Sequence, residues 1–541
     1  MSNRREFLKK VAAGSVAAGS AGTWSAYAGN DAGTQNNKDL CNEWKAPLLQ
    51  AKNKLNIIWI TCDEMTTRAM SVYGNPLTSM PAAEQMAKEG VIFNNTYVQM
   101  PKSVPSRASM ITSRYPHCEG HRTLTGKKYF DPVEKVTNNN DFTIMAHEPN
   151  LIKFLRDQGY KTALIGKNHQ VDWNLHQRWF DATSRWDSPE WKNRPDPYAE
   201  PQTDEMKRMH FKGKVKEDYD YNLLPDALHA RWSIDFIREN KDNPFFALID
   251  MGLPHPPYQE LTQMPAYQIP LEKIPMANPL PLDKAPSVER QYRTSYELEH
   301  LKDEDRRRIR RAYYTMCEFA DRMVKRIIDE VDRLGLKEKT LIIYTADHGD
   351  FNGSRNCFEK WDTMFYDEIV KVPLMMRLPG ILPAGKRIHH LVELLDVAPT
   401  ITEILGYGTQ EWMQGKSFLA LARGETSTHK DAVFSQGGVE REATLRPAPV
   451  KNRHEQAKQK VVHDFPDTMI RSKMIRKDDF KYIYRLAGDH ELYNLKEDPE
   501  ELNNLIHDPS YKEIINEMKD RLLRFTIEYE TNYPLIGELH D

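Results

Sequence analysis

Cysteine is scarce in this chain of 541 residues, which has five cysteines: Cys41, Cys62, Cys118, Cys317 and Cys357. Their number is odd, and no two of them have the C-x-x-C spacing of a metal or redox motif. The cysteines therefore indicate neither a disulfide framework nor a zinc site.

Strong charge of one sign and long apolar runs are also missing. The formal net charge is -3, and lysine and arginine are scattered, which gives no electrostatic reason to expect nucleic acid as a partner. Beyond the N-terminal segment, no stretch is apolar for long enough to span a bilayer. With 40% hydrophobic and 28% charged residues, the composition predicts a soluble globular protein with one large core and a second unit.

The N-terminal segment has the pattern of an export signal. A basic start, "NRREFLKK", precedes a mildly apolar stretch that ends in the small-residue site Ala26-Tyr27-Ala28. The Arg4-Arg5 pair resembles a twin-arginine signal, which implies the twin-arginine export machinery as a partner. A Sec signal and a retained amphipathic helix are the alternatives, and the weak apolarity argues against Sec. We predict a signal peptide over 1–28 and a periplasmic or secreted mature protein.

Short apolar runs alternate with helical patterns over most of the chain. The predicted buried strands cover 55–64, 90–98, 161–167, 244–252, 339–349 and 372–380. The clearest helices are predicted at about 304–334 and 395–406. This alternation predicts an α/β fold with a mostly parallel sheet covered by helices on both faces. Ligands of such sheets bind beyond the carboxyl ends of the strands.

The pattern changes near residue 424, where we place a domain boundary. Residues 29–423 are predicted to form a large N-terminal α/β domain, and 424–541 a smaller C-terminal α+β subdomain. Within the latter, 424–465 is predicted to be a polar linker. An antiparallel meander is expected at 474–505 and a helix at about 509–528.

Two segments interrupt the alternation and are predicted to be long loops, 180–222 and 254–286. Long loops inside a compact domain are often functional. Trp186 and Trp191 in the first loop permit two interpretations, contact with a sugar or ordinary loop packing, and packing is favoured for either residue alone.

The stretch "SVPSRASMITSR" is the most specific motif in the chain. It resembles the sulfatase signature (Cys or Ser)-x-Pro-Ser-Arg-x-x-x-(Leu/Met)-Thr-Gly-(Arg/Lys). The matching positions are Ser103, Pro105, Ser106, Arg107, Thr112 and Arg114. Ile111 and Ser113 depart from the pattern, the latter at the position of its glycine. Taken alone, the pentapeptide also fits a helix N-terminus with a proline.

The resemblance implies a modified residue. In this family the first residue of the signature is oxidised to formylglycine (3-oxoalanine), and its hydrate is the nucleophile, which assigns that role to Ser103. A serine at this position implies a serine-type maturation enzyme, a radical iron–sulfur protein that acts on the unfolded chain in the cytoplasm. The resemblance also implies that Arg107 stabilises the hydrate.

Acidic residues end two of the predicted strands. Asp63 and Glu64 end "NIIWITCDEM", and Asp347 and His348 follow the strand in "YTADHGD". For either pair alone, helix capping is the better explanation. Together with the signature, they resemble the metal site of sulfatases, to which Ser103 also contributes. Hard divalent cations take several oxygen ligands, so we expect Ca²⁺, with Mg²⁺ or Mn²⁺ as alternatives.

Four further residues lie in local patterns that resemble those of the family. Lys167 and His169 lie in "GKNH", His255 in "LPHPPY" and Lys360 in "EKWD". The resemblance implies that Lys167 and Lys360 bind the sulfate and that His169 bonds the hydrate and takes a proton from it. It also implies that His255, with Lys360, protonates the leaving alcohol.

The resemblance extends from about residue 55 to 505 and implies a type I sulfatase with an alkaline-phosphatase-like fold. An exported enzyme of this kind is expected to act on sulfated carbohydrate or a polysaccharide fragment. Two other functions stay open: a phosphonate or phosphodiester hydrolase of the same superfamily, and a non-catalytic binder of sulfated glycans in which Ser103 stays a serine. For the aromatic loop, a purely structural lid is a third possibility.

Overall fold

The computed structural model of the chain describes residues 54–119, 129–131, 136–138, 144, 147–172, 175–198, 203–276, 279–438 and 452–529. The predicted export signal lies outside these residues, as does Cys41. Within the described ranges, no helix combines the length and the apolarity needed to cross a membrane.

The strands form one large sheet, one smaller sheet and two two-stranded ribbons. In chain order they are β1 (Asn56–Asp63), β2 (Val91–Tyr97), β3 (Tyr129–Asp131), β4 (Val136–Asn138), β5 (Lys161–Gly166), β6 (Ala182–Thr183), β7 (Phe211–Lys214), β8 (Phe245–Pro254), β9 (Tyr258–Glu260), β10 (Thr340–Ala346), β11 (Lys371–Arg377), β12 (Lys386–Glu393), β13 (Ala432–Gly437), β14 (Ser472–Lys477), β15 (Phe480–Arg485) and β16 (Glu491–Asn494).

The α-helices vary from single turns to one long helix. They are α1 (Pro81–Glu89), α2 (Ser103–Thr112), α3 (Pro116–Glu119), α4 (Leu151–Asp157), α5 (His176–Trp179), α6 (Pro189–Lys192), α7 (Asp204–Arg208), α8 (Pro225–Glu239), α9 (Ser287–Ser295), α10 (Asp303–Arg333), α11 (Asp367–Val370), α12 (Val397–Ile404), α13 (Leu419–Arg423), α14 (Arg453–Asp464) and α15 (Lys512–Glu528).

The large sheet confirms the predicted fold class. Its order is β12-β2-β11-β10-β1-β8-β5-β6, and within it β11 runs antiparallel to both of its neighbours while the other pairs are parallel. All six runs predicted as strands lie in this sheet. Each residue of β1 is buried, as expected for a central strand covered on both faces.

The helices that flank the sheet follow the predicted periodicity. The long helix α10 packs against α8, α1 and β8, and its buried positions include Ile309, Met316 and Ile327. This helix matches the segment predicted at 304–334, and α12 lies within the segment predicted at 395–406.

The C-terminal part contains the expected small antiparallel sheet, in the order β13-β14-β15-β16, with α15 packed on β14 and β15. Phe434 of β13 stacks on Phe525 of α15 with ring centroids 4.0 Å apart. The linker predicted at 424–465 was wrong in part, because β13 and α14 lie there. The reason is that the short apolar run in β13 is buried at every position, although the sequence around it is polar. The boundary near residue 424 stays a prediction.

The two predicted loops contain short elements and are joined to each other. β7, from the first loop, pairs in parallel with β9, from the second. His210, just before β7, accepts a backbone hydrogen bond from Tyr258 at 2.8 Å. The ribbon holds both loops together near the carboxyl end of β8.

Candidate active site

The ends of β1 and β10 bring the predicted acidic residues together, because these strands are parallel neighbours. Glu64 has a φ of 70°, an uncommon conformation for a residue with a side chain. Its backbone N–H donates to Oδ1 of Asp347 at 3.0 Å, and its carbonyl accepts from the Tyr313 hydroxyl at 2.6 Å. These bonds fix Glu64 beside Asp63 with the strained turn in place.

Ser103 is the first residue of α2 and points at this acidic edge. Its Oγ lies 3.4 Å from Oδ1 of Asp63 and 3.0 Å from Nε2 of His348. Nδ1 of His348 lies 3.0 Å from the Gly349 carbonyl, which only accepts hydrogen bonds, so Nδ1 carries the proton. Burial lowers the pKa of His348 to about 4. The imidazole is therefore neutral at pH 7 and presents the lone pair of Nε2 to Ser103.

Arg107, one helical turn after Ser103, binds three carboxylates. Its Nε lies 2.8 Å from Oδ2 of Asp347, Nη2 lies 3.1 Å from Oδ2 of Asp63, and Nη1 lies 2.7 Å from Oδ1 of Asp250. Burial disfavours its charge, but Asp250, Asp347 and Asp63 together raise the pKa of Arg107. A permanently charged guanidinium is thus fixed in the middle of the acidic cluster.

Lys167 reaches the same cluster from the end of β5. Its Nζ lies 2.7 Å from Oδ2 of Asp63, and its backbone N–H donates to the Asp250 carbonyl at 2.8 Å. The preceding Gly166 has a φ of +104°, and a Cβ there would lie 1.8 Å from that carbonyl oxygen. Glycine is required at this position because β5 and β8 approach so closely.

Lys360 and His255 meet at Glu64. Nζ of Lys360 lies 2.6 Å from Oε2 of Glu64 and 3.2 Å from Nε2 of His255. Nδ1 of His255 lies 2.6 Å from the Pro256 carbonyl, so the proton is on Nδ1 and Nε2 accepts from the ammonium group. Burial, Lys167 and Lys360 lower the pKa of His255, whereas Glu64 and Glu359 raise that of Lys360 against the effect of burial.

His169 lies near the cluster without bonding Ser103 in the part of the chain that the structure describes. Burial, followed by the positive charge of Lys167, lowers the pKa of His169 to about 3. Its Nδ1 is buried and has no hydrogen-bond partner among the described residues. The ring is therefore a neutral imidazole with an unused nitrogen.

The acidic cluster fits a hard divalent cation. The ligand atoms of Asp63, Asp347 and His348 lie within 4.8 Å of one another, and so do those of Asp63, Glu64 and His255. Oε1 of Glu64 is buried and lacks a hydrogen-bond partner in the described structure. Burial raises the pKa of Asp63, but the positive charges of Lys167 and Arg107 lower it by more than burial raises it. This carboxylate is therefore ionised and available as a ligand.

Two residues of this site were missed from the sequence. Asp250 binds Arg107 and accepts from Nε2 of Gln170 at 2.7 Å. A signal existed for Asp250, since it is a polar residue near the carboxyl end of a predicted strand, in "FFALIDMG". Nothing in the local sequence distinguishes Gln170.

The aromatic loop residues pack among themselves. Trp186 and Trp191 contact each other with centroids 4.4 Å apart. The Arg194 guanidinium lies 3.6 Å over the Trp191 ring, and His229 stacks on that ring at 5.7 Å. These contacts favour loop packing over a sugar platform.

Ser113, which departs from the signature, ends α2 in the left-handed conformation with a φ of 57°. Its Oγ donates to the Leu395 carbonyl at 2.6 Å and accepts from the Gly415 N–H at 3.1 Å. Glycine reaches this conformation without strain. Here two buried hydrogen bonds offset the strain of a serine, so the turn is kept.

Family models and known proteins match most of the chain. The Sulfatase family model matches residues 55–407, and the model of the C-terminal part of N-sulphoglucosamine sulphohydrolase matches 444–528. The chain is similar to the delta 4,5-hexuronate-2-O-sulfatase of Bacteroides thetaiotaomicron, with 24% identity over 493 residues that cover 90% of this chain and 91% of the relative.

Solved structures share the fold. A 2-O GAG sulfatase matches with a TM-score of 0.66 and 23% identity, covering 89% of this chain and 93% of its own. The phosphonate monoester hydrolase of Agrobacterium radiobacter matches with a TM-score of 0.70 and 20% identity, covering 88% and 96%. Because the Sulfatase model spans more than half of the sequence, the chain belongs to the sulfatase family, the sulfuric ester hydrolases of type I in the alkaline phosphatase superfamily.

Proposed function

We propose that the chain hydrolyses a sulfate ester on a carbohydrate, using a formylglycine made from Ser103 and a divalent cation. The observation that carries this proposal is the position of Ser103. Its Oγ lies within 3.4 Å of Asp63 and 3.0 Å of His348, where Arg107 and Lys167 also reach Asp63. A nucleophile, ligand groups and fixed cations are thus gathered around one point, as attack on an anionic ester requires.

Asp63, Glu64, Asp347 and His348 would hold the cation together with the modified Ser103. Ca²⁺ best suits a mainly carboxylate site, with Mg²⁺ and Mn²⁺ as alternatives. The cation would supply Lewis acidity at a sulfuryl oxygen, and formylglycine would supply a hydrated aldehyde as the nucleophile.

The positively charged side chains of the site neutralise the negative charge of the ester. Lys167 and Lys360 present ammonium groups at the edge of the site, with side chains 22% and 13% exposed, so both can reach a bound anion. Arg107 is buried and tied to three carboxylates, which suits it to hold the position of Asp63 and Asp347 and to stabilise charge on residue 103. Groups that are placed before the reaction stabilise charge with little reorganisation.

The hydrogen bonds suggest which atoms move protons. Nζ of Lys360 carries the proton that it shares with Nε2 of His255, so the Lys360–His255 pair is the donor for the departing alcohol oxygen. His169 is neutral, and its free nitrogen suits it to take a proton from residue 103.

Maturation and export are part of the same proposal. The SxPSR core around Ser103 would be recognised by a serine-type maturation enzyme before the chain folds. The N-terminal signal over 1–28 would then direct the chain through the twin-arginine machinery to the periplasm or the exterior.

A carbohydrate substrate is supported by the relatives, since a hexuronate sulfatase and a GAG sulfatase are both similar along most of their length. The second candidate is phosphonate monoester hydrolysis, favoured by the TM-score of 0.70 to such an enzyme. Because enzymes for both reactions share this fold, measured rates are what distinguish the two candidates.

The test is to compare the kcat/KM values of the matured protein for sulfated hexuronate and glucosamine derivatives with that for an aryl phosphonate monoester. We expect release of inorganic sulfate to be the faster reaction and Ser103→Ala to abolish it. Faster phosphonate hydrolysis would support the second candidate. Tight binding of the sulfated sugars without turnover would instead show a binding protein.

A further inference from the structure

Three titratable side chains meet outside the acidic cluster. His210 comes from the turn before β7, Glu359 from the loop after β10, and His454 from the first turn of α14. Nδ1 of His210 lies 3.1 Å from Oε1 of Glu359, and Nε2 of His454 lies 3.4 Å from the same oxygen. All three ligand atoms lie within 4.8 Å of one another.

We infer that His210, Glu359 and His454 form a second metal centre, which binds a transition-metal ion such as Zn²⁺. Zinc takes histidine nitrogens and carboxylate oxygens at about 2.0–2.2 Å in a tetrahedral arrangement. Ligand atoms at the corners of such a tetrahedron are about 3.4 Å apart. The two distances to Glu359, 3.1 and 3.4 Å, are close to this spacing. The two imidazole rings stack with centroids 4.4 Å apart and an interplanar angle of 15°, so binding of both nitrogens to one ion turns the His210 ring out of the stack.

A backbone carbonyl orients one of the two histidines. Nδ1 of His454 lies 3.4 Å from the Arg208 carbonyl, which leaves Nε2 to face Glu359; metal-binding histidines typically use their second nitrogen in this way. His210 and Glu359 both have a φ of 55°. Left-handed backbone at two of three converging residues is a cost that a bound ion would offset.

The cluster reaches solvent at His210. The side chains of Glu359 and His454 are 9% and 8% exposed, whereas that of His210 is 27% exposed. Three protein ligands and one open position are the arrangement of a zinc site that keeps a water or another ligand.

The two metal centres differ in chemistry. Two imidazoles and one carboxylate favour zinc and its neighbours over calcium, whereas the cluster around Asp63 is mainly carboxylate. The two sites share no residue, although Glu359 directly precedes Lys360. A zinc ion would therefore clamp α14 and the turn before β7 to the loop that carries the proposed sulfate-binding lysine.

No short metal-binding spacing in the sequence reveals this site, because its ligands come from three distant segments. Zinc binding here does not depend on the modification of Ser103. It is therefore testable in unmodified protein, separately from the proposed hydrolysis.

The experiment measures zinc by mass spectrometry after equilibrium dialysis against Zn²⁺ with excess Ca²⁺, which keeps calcium in the Asp63 cluster. It compares the wild type, His210→Gln, His454→Gln and the matched control His463→Gln, on the same helix with a side chain 84% exposed. We expect one zinc per chain in the wild type and in His463→Gln. The other two variants should bind zinc at least about tenfold more weakly, because losing even a partner that only orients a metal ligand has an effect of about this size.

The inference is overturned if the wild type binds no zinc in excess calcium, or if His210→Gln and His454→Gln retain it. A cooperative thermal unfolding transition in each variant checks that it is folded. Should a variant fail that check, anomalous scattering at the zinc edge from wild-type crystals decides the matter. A peak between His210, Glu359 and His454 supports the site, and no peak there refutes it.

Discussion

Nζ of Lys360 lies 2.6 Å from Oε2 of Glu64, a buried carboxylate whose other oxygen has no hydrogen-bond partner among the described residues. One residue of the pair is a proposed sulfate-binding group, and the other is a proposed metal ligand. The pair therefore connects the proposed metal site to the proposed sulfate-binding site. Removing either side chain should impair catalysis more than folding.

Replacing Lys360 with alanine should lower kcat/KM for a sulfate ester by about 10²–10³, the usual effect of losing one preorganised electrostatic group. The control is Lys325→Ala, a half-buried lysine of α10 that pairs with Asp329 and should keep full activity. If Lys360→Ala lost less than about threefold, the role given to this lysine would be wrong.

Removing divalent cations should destabilise the protein, because Asp63, Glu64 and Asp347 would then share a buried site without the charge of the ion. Adding Ca²⁺ back should raise the melting temperature as its concentration rises. At a Ca²⁺ concentration one hundred times the Kd, the free energy of unfolding should increase by about 2.7 kcal/mol. Asp347→Asn should lose most of this response, whereas Asp303→Asn, at an exposed carboxylate, should keep it. Equal responses in the two variants would contradict the proposed ligand set.

His169 should make stability depend on pH. Its pKa is lowered to about 3 in the folded chain by burial and by Lys167, whereas an unfolded histidine has a pKa of about 6.5. Between these values the unfolded chain binds the proton first, so stability is complete above pH 6.5 and falls as the pH drops towards 3.

Between pH 7 and pH 5, His169 alone should lower the free energy of unfolding by up to about 2 kcal/mol. Urea unfolding at both pH values should show a smaller loss for His169→Asn than for the wild type. The exposed control His463→Asn should behave like the wild type. An unchanged pH dependence in His169→Asn would show that this ring is protonated in the folded protein.

Replacing Ser113 with alanine should destabilise the protein more than replacing it with glycine. Both substitutions remove the hydrogen bonds to Leu395 and Gly415, at a cost of about 1–3 kcal/mol for the groups left unpaired. Only glycine relieves the left-handed strain, worth about 1–2 kcal/mol. The melting temperature should therefore fall in the order wild type, Ser113→Gly, Ser113→Ala, and the reverse order of the two variants would contradict this account.

The strands and the long helix were predictable because their burial depends on local periodicity. β1 and α10 carry apolar residues at the spacing of their own element, and the acidic residues at the ends of β1 and β10 mark a parallel sheet edge. The direction of β11 was not predictable, since an apolar strand reads the same in either direction. β13 was missed because one short buried strand in polar surroundings has too few residues for a pattern.

The candidate site was predictable for residues that lie in local family motifs. It was less predictable for residues whose role depends on contacts with distant segments of the chain. Ser103 and Lys167 lie in local patterns, whereas the part played by Asp250 depends on Arg107 reaching it from α2. The proposed His210–Glu359–His454 centre depends wholly on the pairing of two loops and on the place of α14. No local spacing encodes such convergence.

The most direct measurement is the mass of the tryptic peptide "SVPSR", residues 103–107, from protein produced together with a serine-type maturation enzyme. Cleavage after Lys102 and Arg107 isolates Ser103 from the rest of the chain. The account predicts the loss of two hydrogens, the mark of the aldehyde. An unmodified serine, from an enzyme that modifies a control substrate in the same cells, would contradict the proposed formylglycine-dependent hydrolysis.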